Sequence, residues 1–392
     1  MSDQFQIRII SSIGDVPQKS WNGLTNDQPV NPFIRHEFLH ALEKSGSAIA
    51  ETGWAAQHLL LETTNGQLLG ALPCYLKNHS QGEFVFDHGW ADAFMRAGGK
   101  YYPKLQSSVP FTPATGPRFL VPNDEGYGAK REALMQGLQQ LCEKIQVSSA
   151  HVTFMQENEW EAAGKQGYLQ RTDQQFHWLN EDYESFDDFL AALSSRKRKN
   201  IRKERKTALQ GGEIEIDFLK GNEITERVWD RFFSFYMDTG SRKWGTPYLT
   251  RDFFTLISES MPDRTLLVMA RRYDEYIAGA LNFIGDECLY GRHWGCLEDH
   301  PCLHFEVCYY QAIDYAIANG LARVEAGAQG AHKLARGYVP VTTRSAHWIT
   351  HPGLRDAIAD YLVHERREVD RHNEMLGEHT PFKNIDLAGE TK

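Results

Sequence analysis

Apolar and polar residues alternate along several short segments of the chain, a pattern typical of strands with one buried face. Two of these segments end predicted hairpins: residues 68–72 follow a turn at 64–66, and residues 276–281 follow a turn at 273–275. The first turn contains Asn-Gly, a strong hairpin signal. The pattern therefore predicts two similar hairpins about two hundred residues apart.

The elements after each hairpin also occur twice in the same order. A third strand with a His-Trp motif, an amphipathic helix, a short strand, a Gly-Tyr pair and a second His-Trp pair are predicted in each copy. In the first copy these are residues 87–90, 128–145, 151–155, 167–168 and 177–178, and in the second they are 292–294, 305–319, 323–327, 337–338 and 347–348. The repeat predicts a duplicated domain.

A chain of 392 residues is longer than one hydrophobic core usually supports, which agrees with two domains. We predict an α/β fold with mixed sheets and three regions. Residues 1–182 form the first domain with an inserted loop at about 89–126, residues 183–212 form a basic connecting helix from about 186 to 209, and residues 213–392 form the second domain with a terminal helix.

Composition narrows the class of protein without naming a function. Hydrophobic residues make up 41% and charged residues 24%, as in ordinary globular proteins, and no run approaches 18 apolar residues. We therefore expect a cytoplasmic protein without integral membrane contact. The net charge of −10 disfavours bulk attraction to nucleic acid or an anionic membrane.

Five longer segments resemble a known family, and they are residues 86–94, 98–106, 110–113, 194–205 and 325–338. They are similar to Fem-type transferases, which pair two GNAT-like domains and add amino acids from aminoacyl-tRNA to cell-wall precursors, and more closely to FemAB-like N-acyltransferases. The resemblance implies tandem GNAT-like acyltransferase domains. It also implies an amine acceptor, an activated acyl donor and no tightly bound cofactor, with acyl-CoA or aminoacyl-tRNA as candidate co-substrate.

One segment departs from the GNAT pattern. GNAT enzymes hold the CoA pyrophosphate on a glycine-rich loop that opens a helix, because its amides point at phosphate. The corresponding residues 296–303 contain no glycine and two carboxylates, Glu298 and Asp299. This weakens the expectation of CoA as donor.

The segment 325–338 carries the predicted catalytic group. An attacking amine must lose a proton, so Glu325 and His332 are candidate bases. Lys333 and Arg336 are expected to hold an acyl carboxylate or a phosphate, and Tyr338 to donate to the leaving group. A strand-end acid and a solvated imidazole are the structural alternatives for Glu325 and His332.

Further candidates lie in the third strands and the inserted loop. His293 is a candidate catalytic residue, and Trp294 a candidate ring for stacking on substrate. The inserted loop is predicted to be a lid with cations and phenols for an acidic substrate or donor, the alternative being a structural flap. The predicted substrate-binding residues of the first copy are His88, Trp90, Asp92, Arg96, Tyr101, Tyr102, Lys104 and Gln106.

Eight of the eleven residues from 196 to 206 are basic. Arg196, Arg198, Asn200 and Arg202 are predicted to bind phosphate of the donor, tRNA being one candidate partner. A salt-bridged linker helix is the alternative. The histidines and cysteines of residues 293–304 lack zinc-site spacing, so no metal is predicted.

Three functions are compatible with these observations. The preferred one is an N-acyltransferase in which a substrate amine attacks an activated acyl carbonyl directly. The second is an aminoacyl-tRNA-dependent Fem-type ligase. The third is a ligand-binding or scaffold protein that has kept the duplicated fold without catalysis.

Overall fold

A computed structural model describes residues 5–209, 212–243, 247–327 and 330–383. Gly211 of the predicted connecting region, and Ala328 and Gln329 of the segment 325–338, lie outside the described residues. The strands are β1 Phe5–Ile10, β2 Ala55–Ala56, β3 His58–Thr63, β4 Leu68–Leu72, β5 Tyr75–Lys77, β6 Lys104–Ser107, β7 Ser149–Thr153, β8 Leu169–Leu179, β9 Ile214–Lys220, β10 Thr265–Arg272, β11 Glu275–Ile284, β12 Cys288–Cys296, β13 Arg323–Glu325 and β14 Val339–Ile349.

The helices lie between these strands. They are α1 Gln18–Gly23, α2 His36–Lys44, α3 His88–Arg96, α4 Tyr127–Lys144, α5 Glu157–Lys165, α6 Phe186–Ala192, α7 Ser195–Ala208, α8 Glu226–Lys243, α9 Arg251–Ser260, α10 Leu303–Phe305, α11 Gln311–Ala318 and α12 Pro352–Gly377. The predicted hairpins and the helix near 128–145 are confirmed.

The chain forms two compact units. Unit 1 comprises residues 1–173, 248–261 and 342–370, and unit 2 comprises residues 174–247, 262–341 and 371–392. Each unit therefore draws on more than one stretch of the chain. The domain boundaries predicted from the repeat, at residues 182 and 212, stay a prediction.

The two units pair their strands in the same order. In unit 1, β1 pairs with β3, β3 with β4, and β5 with β6, all antiparallel; β6 runs parallel to β7, and β7 is antiparallel to β14. In unit 2, β9 pairs with β10, β10 with β11, and β11 with β12, again antiparallel; β12 is parallel to β13, which is antiparallel to β8. The repeat in the sequence therefore corresponds to two units with equivalent strand pairing.

One strand differs between the copies. The long strand β11 of unit 2 corresponds in unit 1 to two shorter strands, β4 and β5, with Pro73 and Cys74 between them. Proline has no amide hydrogen, so it interrupts the ladder. The sheets of unit 1 are consequently two: β1, β3 and β4 in one, and β2, β5, β6, β7 and β14 in the other.

The last strand of each sequence repeat pairs with an element of the other repeat. β8 ends the first repeat, yet it pairs with β13, so that His177 lies opposite Glu325. β14 ends the second repeat, yet it pairs with β7, so that His347 lies opposite His151. The interleaved residue ranges of the two units follow from this exchange.

Each unit has its own hydrophobic core. In unit 1, β3, β6 and β7 bury apolar side chains against the inner face of α4, including Leu134, Leu138 and Leu141. In unit 2, β10, β11 and β12 pack against α11 and the preceding helical turns, with Ile313 and Ala316 fully buried. Burial of these faces is the main stabilising contribution to each unit.

Three predicted elements are wrong. His88 and Trp90 lie on helix α3, not on a third strand, and β6 is the strand equivalent to β12. The connecting helix is two helices, because Leu193 is extended at the end of α6 and its amide bonds back to Leu190. The inserted region 89–126 is not one loop, since it contains most of α3 and all of β6.

Candidate active site

A cavity opens in unit 2 where two parallel strands separate. β12 and β13 pair from Cys288 with Arg323 to Tyr290 with Glu325, and there β13 ends while β12 continues. The gap holds a cavity of about 140 Å³. Its lining residues are Ala280, Asn282, Gly291, Arg292, His293, Trp294, His304, Cys308, Tyr309 and Ala326.

The cavity is lined from both faces of the sheet. Trp294 pairs across the ladder with Ala280, and His293 pairs with Leu281, so their side chains point to opposite faces. Trp294 packs edge-on against His304 at 5.2 Å between ring centroids, and His293 packs against Tyr236 at 5.0 Å. Two reactants can therefore approach the same gap from opposite sides.

A π-helical turn brings a tyrosine to this cavity. The turn spans Glu306–Tyr310 between α10 and α11, and such turns are frequent at functional sites. The Tyr309 hydroxyl is 2.9 Å from His332 Nε2. Burial raises the pKa of Tyr309, so its hydroxyl stays protonated at neutral pH. Tyr309 and His332 are thus joined at the cavity wall by a hydrogen bond.

Two cationic side chains lie beside the same gap. Lys333 is buried, and its Nζ donates to the carbonyl of Gly327 at 2.7 Å. Burial, with the nearby charge of Arg292, lowers the pKa of Lys333 to about 8. Burial likewise lowers the pKa of Arg292 to about 10, so both groups are mainly cationic at pH 7. They supply positive charge at a partly dry site, where its effect on a developing anion is large.

His293 is brought to the cavity, but its proton affinity is low. Burial, and next the charge of Arg292, lowers the pKa of His293 to about 3. The ring is therefore neutral at pH 7 and a weak proton acceptor. It can hydrogen-bond a substrate more readily than it can deprotonate an amine.

Other predicted residues of unit 2 lie near the cavity without lining it. Glu325 accepts from Arg323 Nε at 3.2 Å and lies 3.9 Å from His177 Nε2, while its neighbour Ala326 lines the gap. Tyr338 is fully buried against the Tyr309 ring, so direct donation from it to a leaving group is not supported. Arg336 is held at 3.4 Å over the Phe305 ring and bonds Glu204 at 3.0 Å.

The predicted substrate-binding residues of unit 1 fall into a buried network and an exposed helix face. Lys104 is fully buried and ion-pairs with Glu83 at 2.7 Å and Asp87 at 2.5 Å. Tyr101 donates to Asp87 at 2.7 Å, and Gln106 donates to Thr153 at 3.1 Å. In this structure Lys104, Tyr101 and Gln106 therefore bind partners inside unit 1, and the predicted lid with cations and phenols stays a prediction.

The titrating groups of this network are strongly perturbed. Burial raises the pKa of Glu83 to about 7 and lowers that of the nearby Lys77 to about 7. Burial alone would raise the pKa of Asp87, but the charge of Lys104 lowers it overall. Tyr102 shares a hydrogen bond with Ser80 at 2.8 Å at the edge of the network.

The predicted residues of α3 point different ways. His88, Asp92 and Arg96 are exposed, whereas Trp90 is buried with its ring 5.0 Å from the His347 ring. Arg171 stacks on Trp90, also at 5.0 Å. Trp90 is therefore a packing residue of unit 1.

Helix α7 has one packed face and one basic face. Ile201, Glu204, Arg205 and Ala208 face inward, with Arg205 bonded to Glu306 at 2.9 Å and to Asp314 at 2.6 Å. Of the predicted phosphate ligands, Arg196, Asn200 and Arg202 are exposed and Arg198 is half-buried, while Arg202 pairs with Asp187 at 2.9 Å. Other exposed cations on this helix, none of them in an ion pair with the described residues, are Lys199, Lys203 and Lys206.

Five polar residues at or beside the cavity were not predicted as functional, namely Asn282, Arg292, His304, Tyr309 and His177. His177 had a signal, because His-Trp recurs at 177 and 347. His177 lies opposite Glu325, the last residue of β13, and His347 lies opposite His151 in unit 1. In the part of the chain that the structure describes, no group of three His, Cys, Asp or Glu is placed to hold a metal ion. No described helix is long and apolar enough to cross a membrane.

Comparison with known proteins identifies the family. The profile of the FemAB-like family, described as peptidoglycan biosynthesis/recognition, matches residues 12–384. The chain belongs to the FemAB-like family. The curated proteins contain no match to this FemAB-like chain.

Solved structures agree with the fold of this FemAB-like protein. FemX superposes with a TM-score of 0.54 at 11% identity, covering 88% of this chain and 98% of FemX. The C-terminal domain of a proposed lysylphosphatidylglycerol synthetase from Agrobacterium fabrum gives 0.53 at 8% identity, covering 88% and 95%. L-PGS from Bacillus licheniformis gives 0.50 at 8% identity, covering 86% and 98%.

These likenesses confirm the predicted tandem GNAT-like α/β fold and the predicted family. Identities near 10% establish shape rather than substrate. Family and fold together support a transferase.

Proposed function

We propose that this FemAB-like protein is an N-acyltransferase whose reaction occurs in the cavity between β12 and β13. An amine attacks the carbonyl carbon of an activated acyl or aminoacyl donor, a new C–N bond forms, and the bond from that carbon to the donor's leaving oxygen or sulfur breaks. The observation that carries the proposal is a cavity at the strand separation that Arg292 and Tyr309 line. His332 is bonded to the Tyr309 hydroxyl, and Lys333 is fixed on the carbonyl of Gly327, next to the lining residue Ala326.

The charges suit the tetrahedral intermediate of this reaction. Negative charge develops on the carbonyl oxygen as the amine adds, and Lys333 and Arg292 supply positive charge beside the gap. Because Lys333 is already fixed on the Gly327 carbonyl, little reorganisation is needed when that charge appears. Lys333 is the first residue to test.

The proton of the attacking amine needs an acceptor. We assign this role to Tyr309 and His332, since the hydroxyl lines the cavity and bonds His332 Nε2 at 2.9 Å. The hydroxyl passes its proton to the imidazole as it takes the proton of the amine. This step requires His332 to be neutral before reaction.

The donor is proposed to carry phosphate. The exposed cations of α7 form a basic face, which would attract a polyanion such as aminoacyl-tRNA by counter-charge. The carboxylates Glu298 and Asp299, at the place of the GNAT phosphate loop, disfavour CoA. We therefore rank aminoacyl-tRNA above acyl-CoA, and expect the reaction in the cytoplasm, where both donors occur.

The experiment offers the full chain two donors and several acceptors. Radiolabelled mixed aminoacyl-tRNA or acetyl-CoA is incubated with a lysine-containing peptidoglycan peptide, a diamine, or vesicles of phosphatidylglycerol, whose acceptor is a hydroxyl. We expect label on an amine acceptor with aminoacyl-tRNA, and loss of transfer after ribonuclease treatment. Transfer from acetyl-CoA alone would reassign the donor, and transfer to phosphatidylglycerol alone would reassign the acceptor to a hydroxyl. No transfer to any acceptor would favour a binding or scaffold role.

Charge reversal at Lys199 and Lys203 tests the basic face separately. These exposed side chains have no described ion-pair partner, so Lys199→Glu with Lys203→Glu should leave the fold intact. We expect weaker tRNA binding and a smaller dependence of log Kd on log salt. Unchanged tRNA affinity would support the linker interpretation of α7.

A further inference from the structure

A second cavity adjoins the first in unit 2. It has a volume of about 240 Å³, and its lining residues are Thr239, Trp294, Cys296, Glu298, Asp299, His300, Leu303 and His304. Trp294 and His304 line both cavities, so these two side chains form the wall between them. Ligand pockets usually exceed roughly 300 Å³, which neither cavity reaches alone and the two reach together.

The shared wall consists of two aromatic rings from different elements. Trp294 extends from β12 and His304 from α10, and the rings meet edge-on at 5.2 Å and 72°. His304 also packs against Tyr309 at 5.4 Å, which connects the wall to the Tyr-His pair. The size and orientation of these two rings therefore determine how far a ligand can extend from the first cavity into the second.

The second cavity has the chemistry of a cation site. Glu298 bonds Arg272 at 2.7 Å and His300 at 2.8 Å, so its charge is compensated. Asp299 is exposed at this cavity and forms no ion pair with any described residue. The adjacent Trp294 ring adds a face that attracts cations. A phosphate would meet an uncompensated carboxylate here, whereas a primary ammonium would be held.

We propose that the second cavity binds the far end of the substrate as a primary ammonium, and that Trp294 and His304 are the residues that set the permitted length. The reacting nitrogen or acyl carbon then lies in the first cavity, past the aromatic wall. This inference rests on the proposed function for the reaction in the first cavity. It adds a substrate class: a diamine acceptor, or a donor whose acyl chain ends in a primary ammonium.

Binding to the full chain tests the inference without turnover. Isothermal titration is performed with cadaverine, pentylamine, 1,5-pentanediol and glutarate, and with lysinamide as a mimic of a donor whose acyl chain ends in an ammonium. We expect cadaverine to bind more tightly than the neutral diol, and glutarate not to bind. Tighter binding of lysinamide than of cadaverine would assign the ammonium to the donor. Equal affinity for 1,5-pentanediol, pentylamine and cadaverine would overturn the proposal.

Two variants and a matched control locate the site. Asp299→Asn should weaken cadaverine binding about two- to fivefold, the effect of one partly solvated charge pair, while Asp263→Asn, an exposed acid elsewhere in unit 2, should not. Trp294→Ala should favour 1,8-octanediamine over cadaverine, by up to about fourfold for each further methylene buried. Unchanged cadaverine affinity in Asp299→Asn, or an unchanged length preference in Trp294→Ala, would refute the assignment. If the ligands and variants bind as expected but the protein transfers no acyl group, the ammonium site is supported and only the proposed function is refuted.

Discussion

The same strand separation is open in unit 2 and filled in unit 1. Beyond the last β6–β7 pair, Ser107 with Val152, the Thr153 carbonyl accepts from Arg118 Nε at 2.8 Å. The guanidinium of Arg118 also donates to the carbonyls of Ala114, Gly116 and Pro117, and the side chain is fully buried. In unit 2 the equivalent place is bordered by Gly291 and Ala326 and is a cavity.

The difference shows how a duplicated sheet can serve two purposes. Both units retain the pairing order, so strand separation is a property of the fold, whereas its contents depend on a few side chains. Small residues leave space beside Lys333, and a long cationic residue with four carbonyl partners removes it. We infer one reaction cleft per chain, in unit 2.

The largest expected effect is on catalysis in unit 2. Lys333→Met should lower kcat about 10²- to 10³-fold, because the cation that faces the developing oxyanion is lost. Transfer kinetics with the donor identified above measure the effect, and Lys220→Met is the control, since Lys220 bonds Tyr315 in the same unit. Full activity of Lys333→Met would place the reaction elsewhere.

The matching change in unit 1 should act on stability. Arg118→Met leaves four buried carbonyls without their donor, so the free energy of unfolding should fall by about 3 kcal/mol or more. Urea denaturation measures it, with the exposed Arg367→Met as control. If Arg118→Met remained as stable as the wild type but lost activity, unit 1 would hold a reaction site and the comparison would fail.

The pH dependence of the transfer reaction tests the role of Lys333. With a pKa of about 8, Lys333 is mostly protonated at pH 7, and only about one tenth of it is protonated at pH 9. Activity should therefore fall about tenfold between pH 7 and pH 9. Lys333→Arg keeps its charge over this range and should flatten that limb even if its kcat is lower. An identical alkaline limb in both proteins would exclude Lys333 as its source.

A second effect on stability, expected to be smaller than that of Arg118→Met, concerns Glu83 in unit 1. Burial raises its pKa from 4.5 to about 7, so the folded state holds this proton more tightly than the unfolded chain. The resulting stability is present below pH 4.5 and lost as the pH rises to about 7. Glu83→Gln should reduce that loss by at most about 1.4 kcal/mol per pH unit, measured by urea denaturation at pH 5, 6 and 7. Parallel pH curves for variant and wild type would contradict this.

Local patterns predicted most of the framework. Hairpin turns, helix α4 and the paired His-Trp motifs at 177 and 347 follow from spacing and turn chemistry, and they are correct. The His-Trp motif at residue 88 was misleading, because the same letters form a strand around His293 and a helix after Asp87. A motif that occurs in both copies indicates equivalent positions only where the apolar periodicity of the residues around it also matches.

The side chains found at the two strand separations depend on partners that are distant in the sequence. Residue spacing does not reveal those partners. Lys104 looks like a solvated loop cation until Glu83 and Asp87 are seen to enclose it. Tyr309 reaches the cavity because of a π-helical turn, which shifts the helix face by a fraction of a turn and leaves no mark in the apolar pattern. His332 was predicted as a base because an attacking amine must lose a proton, and Lys333 as a cation that holds an acyl carboxylate or a phosphate.

Because the two repeats exchange their final strands, dividing the gene between the repeats would affect both fragments. A fragment ending after β8 would keep β7 but lack β14, and the complementary fragment would keep β13 but lack β8. Each would present a bare strand edge, which invites aggregation. Gene fission between the repeats is therefore disfavoured, because each half depends on a strand that the other half supplies.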